Sequence, residues 1–264
     1  MFLIESSNDL RPAHTELIIE KIVKPSFLPR LSRPRLLKAL ENSLISCTST
    51  VISGRAGTGK TALALDFARS CGRSVAWYKV DAPDGEIQIF FQYFIASIKQ
   101  QRPAFGAATL TQLAKTVSPD QVSLLAETFV YELVEGETEP LLVVIEDLHL
   151  VYDFEWVAPF FRRLLPLLPP EVHILITSRT MPPAPFWRMR SKQTLSVIEE
   201  ETLSFTRQEA VELFESHKLS TEQANIALDH TRGRAAALAR YAAVLTGSTE
   251  DRLLEQVSSK ARVG

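Results

Sequence analysis

Cysteine is almost missing from this chain: Cys47 and Cys71 are the only two in 264 residues. That excludes a disulfide framework and a cysteine-ligated metal centre. It reads instead as a pair of reduced, buried thiols in a cytoplasmic protein. The five histidines, His14, His149, His173, His217 and His230, have no metal-ligand spacing. No apolar run approaches a membrane span, so no membrane role is expected. Met1–Glu5 opens the chain without a basic n-region or a long apolar core, so no signal peptide is read there. An excess of one charge is also lacking: 29 Lys and Arg against 31 Asp and Glu leave −2. Such a balance does not suggest a general nucleic-acid binder. Internal repeats and low-complexity tracts are absent too. What the chain does have is 45% hydrophobic and 23% charged residues, a globular composition with ample core. Its length allows one large domain or two modest ones.

The most informative stretch is Ser53-Gly54-Arg55-Ala56-Gly57-Thr58-Gly59-Lys60-Thr61, which fits G-x-x-x-x-G-K-[ST]. Glycines let a backbone curl around an oligophosphate with its N–H groups turned inward. Lys60 is placed to meet the β- and γ-phosphates, and the Thr61 hydroxyl to ligate Mg²⁺. The context fits. Thr50-Val51-Ile52 is a β-branched run suited to a buried strand. Ala62–Ala68 carries Leu63, Ala64, Phe67 and Ala68 on one helical face, and Gly72 supplies a stop. A dinucleotide fingerprint fits worse, because G-x-G-x-x-G is absent.

Other segments take an alternating pattern. Residues 1 to 20 are weakly patterned and read as an N-terminal extension. From Lys21 to Leu40 there is no acidic residue, while Lys21, Lys24, Arg30, Arg33, Arg35 and Lys38 are cationic and Pro25, Pro29 and Pro34 stiffen the segment. It is either a solvated basic linker or, through Arg33 and its neighbours, part of the nucleotide pocket. Ser32 is a candidate cap for a helix from Pro34 to Leu44. A strand is expected over Ser74–Val80. Helices are expected over Glu86–Gln101, Ala107–Thr116, Pro119–Glu135 and Phe154–Leu168. Phe90, Phe91 and Phe94 belong to the core side of the first of these.

Leu141–Ile145 is a continuous apolar run, as a doubly buried parallel strand requires, and it ends in Glu146-Asp147. Acids delivered at a strand's C-terminal edge downstream of a phosphate loop form the second half of a triphosphatase site. One acid would hold Mg²⁺, and the other would orient the attacking water. Val172–Thr177 is a further buried strand that ends in Ser178-Arg179, and Arg179 is a candidate reader of the γ-phosphate. Pro182, Pro183 and Pro185 mark an extended connection to an edge strand near Thr194–Ile198. Strands alternating with helices imply a mainly parallel sheet flanked by helices, an α/β fold. After Glu201 the pattern is purely helical, with helix starts at Thr206-x-x-Glu209, Ser220-x-x-Gln223 and Ser248-x-x-Asp251. The expected organisation is an extension over 1–20, a nucleotide-binding domain over 21–200 and a small helical domain over 201–264.

These residues together resemble the nucleotide-binding module of MalT-type, LuxR-family regulators, within the STAND class of AAA+-like P-loop nucleoside triphosphatases. The resemblance is carried by Lys21–Pro25 with Leu28–Leu36, Gly54–Thr61, Val75–Tyr78, Val144–His149 and Leu175–Arg179 with Pro182-Pro183. Leu203–Thr206 with Glu209-Ala210, and Thr231–Gly233, also match, in collinear order from about Lys21 to about Gly247. It implies an ATP/ADP switch with slow hydrolysis, an inducer or regulatory protein as partner, and nucleotide-dependent self-association. It also implies a winged-helix segment, superhelical repeats and a DNA-binding helix-turn-helix, none of which is seen in these residues. Two departures stand out. The family's paired aspartates are here Glu146-Asp147, which bears on Mg²⁺ geometry and turnover. The family's glycine-tryptophan is here Gly233-Arg234, so the inter-domain contact made there does not carry over directly.

The sequence therefore assigns Arg33, Gly54, Arg55, Ala56, Gly57, Thr58, Gly59, Lys60 and Thr61 to nucleotide binding. Thr61 and Glu146 go to Mg²⁺, and Glu146, Asp147 and Arg179 to catalysis. Two alternatives stay open: a P-loop kinase or other phosphotransferase, and a nucleotide-dependent interaction module without hydrolysis.

Overall fold

A computed structural model describes residues 17–27, 29–116, 118, 121–136, 139–190 and 194–247. Most of the expected N-terminal extension and the helix start at Ser248-x-x-Asp251 lie outside the described residues.

Five strands are described: β1 (Ser49–Ser53), β2 (Ser74–Lys79), β3 (Leu141–Glu146), β4 (Val172–Ser178) and β5 (Leu195–Ile198). They form one sheet in the order β2-β3-β4-β1-β5, with every pairing parallel. β1, β3 and β4 are buried along their whole length, which explains the unbroken apolar run of β3 and the apolar centres of β1 and β4. A parallel sheet needs a covering layer on each face. On one side α1 (Pro34–Ser46) and α2 (Lys60–Ser70) pack Leu36, Leu40, Leu63 and Phe67 against Ile52, Trp77, Val144 and Leu175.

The other side holds α3 (Ile87–Lys99), α4 (Ala107–Lys115), α5 (Val122–Gly136), α6 (Val157–Leu167) and α7 (Ala184–Arg190). Its centre is aromatic. Phe90, Phe91, Phe94, Phe129, Phe160 and Phe161 are all buried. Phe91 meets Phe160 edge-on with centroids 4.9 Å apart. Each buried ring contributes about 1.5–3 kcal/mol of apolar burial, and edge-to-face pairs add about 0.5–1.5 kcal/mol. The phenylalanines of α3 are core, as expected.

Beyond β5 the chain is helical: α8 (Glu200–Leu203), α9 (Arg207–Ser216), α10 (Thr221–Thr231) and α11 (Ala235–Thr246). Leu213, Phe214, Ala224, Ala227, Leu238 and Ala242 make a separate apolar cluster there. Both capping boxes form as read: Thr206 and Ser220 accept from the N–H groups of Glu209 and Gln223.

The structure corrects four local expectations. The proline-rich stretch is not an extended connection, because Ala184–Arg190 is helical with Pro185 in its first turn, where a missing N–H costs nothing. Buried Phe186 and Met189 anchor that helix. Ser32 does not cap α1; Arg33 takes the cap position without a side-chain bond, and the Ser32 hydroxyl donates to Asp66 Oδ2 at 2.7 Å instead. The basic segment is not simply solvated, since Lys21 and Arg33 are both buried. Lys21 Nζ meets Asp84 Oδ1 at 2.5 Å. Finally, Cys47 and Cys71 are free thiols but only half-buried.

Candidate nucleotide site

The C-terminal ends of β1, β3 and β4 converge, and ligands of open parallel sheets bind at such an edge where the strand order reverses. β1 delivers Gly54–Gly59. Gly57 (φ 79°) and Gly59 (φ 91°) adopt the left-handed conformation that a side chain resists, so the loop can curl. The Gly54 N–H is tied to the Ser178 carbonyl of β4 at 3.1 Å, and the Thr58 hydroxyl to the Arg55 carbonyl at 2.9 Å. Lys60 begins α2 and is buried. Its ammonium donates to the carbonyls of Gly54 (2.5 Å) and Arg55 (3.0 Å). Burial pushes its pKa down, with the negative charge of Asp147 opposing.

β3 brings Glu146 to Thr61, whose hydroxyl donates to Glu146 Oε1. The Trp77 indole N–H, from neighbouring β2, donates to Glu146 Oε2 at 3.3 Å. Asp147 follows in the left-handed region (φ 59°), a conformation that aspartate tolerates better than most residues. Its N–H is held by the Thr177 hydroxyl at 3.0 Å, which fixes the turn that aims its carboxylate. Arg179 Nε lies 3.8 Å and His149 Nδ1 3.7 Å from Asp147 Oδ1. Burial lowers the His149 pKa, so the ring favours its neutral form. Lys60, Thr61, Glu146, Asp147 and Arg179 thus lie together at one edge. A hydroxyl beside one carboxylate is a donor set that suits Mg²⁺, which keeps several waters and takes phosphate oxygens for the rest. Among the described residues no group of three or more His, Cys, Asp or Glu side chains could hold a metal by itself.

Arg33 takes a different position from the loop residues. Its guanidinium donates to the carbonyls of Leu203 (2.8 Å) and Ser204 (3.0 Å) and to Glu209 Oε2 (2.9 Å). It also stacks 4.1 Å over the Phe205 ring. Burial raises the Glu209 carboxyl, but the Arg33 and Thr206 hydrogen bonds outweigh it and hold the group below its ordinary range. Arg33 also lines a cavity of about 450 Å³ together with Phe27, Gly57, Gly59, Phe205 and Ala236.

Three residues outside the loop partner it, and of these only Arg234 is marked in the sequence, as the departure from the family's tryptophan. Glu200 accepts from the Arg55 N–H at 2.7 Å and from its guanidinium at 2.8 Å. The Arg234 guanidinium donates to the Ala56 carbonyl, and the Ala236 N–H to the Gly57 carbonyl at 2.9 Å. The start of α11 therefore sits on the phosphate loop. A Cβ on Gly57 would stand 3.0 Å from that of Ala236, and one on Gly59 3.2 Å from that of Ala235. Gly233-Arg234, the departure from tryptophan, does make an inter-element contact, by hydrogen bond instead of by ring packing.

Residues 32–176 match the AAA ATPase domain family. Over 227 residues, 84% of this chain, the sequence is 30% identical to the HTH-type transcriptional regulator MalT of Cronobacter sakazakii. That match covers 24% of the relative, so the chain spans about a quarter of its length. The fold is similar to a solved STAND protein with a tetratricopeptide repeat sensor from Pyrococcus horikoshii. The TM-score is 0.54 at 18% identity, over 82% of this chain and 30% of that one. The parallel sheet, the phosphate loop and the acids at the end of β3 agree with these likenesses, and the chain belongs to the AAA ATPase domain family, as a MalT-like P-loop nucleoside triphosphatase module.

Proposed function

We propose that this chain is an ATP/ADP-binding switch with slow hydrolysis, acting as a signalling module of a transcriptional regulator. The observation that carries the reading is the seat of α11 on the phosphate loop. A γ-phosphate that shifts this loop by an ångström must also move Ala235, Ala236 and the helices packed behind them, because packed contacts do not stretch. In this reading residues 21–200 hold the nucleotide and 201–264 respond to it. Lys60 and the loop N–H groups bind phosphates. Thr61 and Glu146 hold Mg²⁺, which would neutralise phosphate charge when bound. Asp147 orients water, and Arg179, through its exposed guanidinium, reads the γ-phosphate. Arg33 sets the position of the C-terminal helices instead of touching phosphate.

Titration of the purified chain with ATP and ADP tests the reading, with Lys60→Ala as control. Both nucleotides should bind the native chain and neither the variant; equal failure of both proteins overturns the proposal. A second reading, binding without hydrolysis, is favoured by Glu146, whose two oxygens are already engaged by Thr61 and Trp77. Turnover separates the two. A rate in the native chain that falls in Asp147→Asn supports the slow ATPase, and equal rates support the non-hydrolysing module.

A further inference from the structure

At the outer edge of the sheet lies a second cavity, of about 560 Å³. Its walls are the segment Ile22–Lys24, the last turn of α2, β2 and the end of α3, with Lys24, Arg69, Arg73, Trp77, Gln100 and Gln101 facing it. It is not the nucleotide site. Arg69 lies nine positions along α2 from Lys60, about 14 Å.

Three cations share this cavity. Among the described residues, no carboxylate ion-pairs with Lys24, Arg69 or Arg73. Arg69 donates to the Phe27 carbonyl at 3.1 Å. Arg73 donates to the carbonyls of Glu171 (2.6 Å) and Pro170 (3.5 Å). Burial holds the Arg73 pKa below its usual range, opposed by Cys71 and Glu171. Arg69 has one simple explanation, since a cation suits the last turn of α2. That does not account for Lys24 and Arg73, which lie on other elements. The lining itself holds three cations and no acid, although the Glu171 carboxylate acts on Arg73, and such a lining suits an anion. Two guanidinium groups suit phosphate oxygens, and glutamine amides suit hydroxyl groups. The cavity is also wired to the nucleotide site. Trp77, buried to 2% exposure, lines it while its indole N–H donates to Glu146 Oε2.

We propose that this cavity is a second ligand site for a small phosphate monoester with a hydroxylated body, and that its occupancy is felt at Glu146 through Trp77. The second half rests on the nucleotide-switch reading; the first does not. Glucose 6-phosphate, inorganic phosphate and glucose are the probes, titrated calorimetrically into Lys60→Ala protein so that the phosphate loop is disabled. The two phosphates should bind and glucose should not. Lys24→Gln/Arg69→Gln, added to the same background, should weaken binding about tenfold or more, as expected for loss of charged hydrogen bonds. Both side chains are exposed, and unchanged ADP affinity of the double variant in the native background checks its fold. No binding of either phosphate, or binding unchanged by the double variant, overturns the site. For the coupling, glucose 6-phosphate should change ADP affinity of the native chain about fivefold or more and shift the Trp77 indole N–H resonance. An unchanged affinity or an unmoved resonance overturns the coupling. A chain that binds glucose 6-phosphate but no ADP overturns the switch reading and leaves the site standing.

Discussion

Replacing Arg33 by methionine tests what this buried cation does. Arg33 and Glu209 have side chains only 8% and 9% exposed, with 2.9 Å between them. Methionine retains much of the apolar volume over Phe205 but removes the charge and three hydrogen bonds. Breaking a buried pair from one side costs about 3–5 kcal/mol, because the remaining charge stays uncompensated. Glu209 would still have Arg35 at 3.3 Å and the Thr206 N–H at 2.9 Å. The expected loss is therefore nearer about 2–3 kcal/mol, or about 4–12 °C in melting temperature for a chain of this size. Glu209→Gln preserves the capping box, since glutamine also serves at that position. The double variant Arg33→Met/Glu209→Gln should be more stable than the sum of the single losses by about 1–3 kcal/mol. Urea unfolding of the four proteins measures this cycle. Because the folded Glu209 carboxyl is held low, its contribution is present above about pH 4.3 and is lost as pH falls through the folded value. A coupling within about 0.5 kcal/mol of zero refutes the latch. So does loss of ATP affinity in Arg33→Met with unchanged stability, which is what a direct nucleotide contact predicts.

Two further outcomes follow from the geometry. Burial, reinforced by Arg73, pushes His173 down to about 4, so the folded ring stays neutral while the unfolded one takes a proton below about pH 6.5. Stability should fall as pH drops across that window, on the order of 3 kcal/mol by its lower end. His173→Gln, which can still bond the Thr50 hydroxyl, should remove that slope in melts recorded from pH 7 to pH 4. Gly57→Ala should cost about 1–2 kcal/mol for its left-handed backbone and press on Ala236, 3.0 Å away. It should lower ATP affinity in a fluorescent-nucleotide titration, and unchanged affinity would show that the loop does not need this close approach.

What could be read from sequence was local or periodic. The buried strand β3 announces itself as an apolar run, and β1 and β4 as short β-branched and aliphatic stretches, because both their faces are covered. The caps at Thr206 and Ser220 are four-residue signals, and the phosphate loop is nine residues long. Prolines misled at Ala184–Arg190, where tertiary anchoring by Phe186 and Met189 favours a short helix over extension. Ser32 misled because Asp66, remote in sequence, competes for its hydroxyl. The ties that give the site its character leave no local pattern. Arg33 and Glu209 are 176 residues apart, Arg234 and Ala56 178, and Trp77 and Glu146 69. Only folding brings such pairs together, so the residues of the edge were legible, while of the lock between α11 and the loop only the position of Gly233-Arg234 was.

The central claim is that α11 rides on the phosphate loop and reports which nucleotide is bound. Hydrogen exchange of the amides over Ala235–Ala239, compared at saturating ATP and saturating ADP, tests it most directly. Protection at the start of α11 should differ between the two nucleotides while β3 and β4 exchange alike in both. Identical protection over Ala235–Ala239, with both nucleotides shown to be bound, would contradict it.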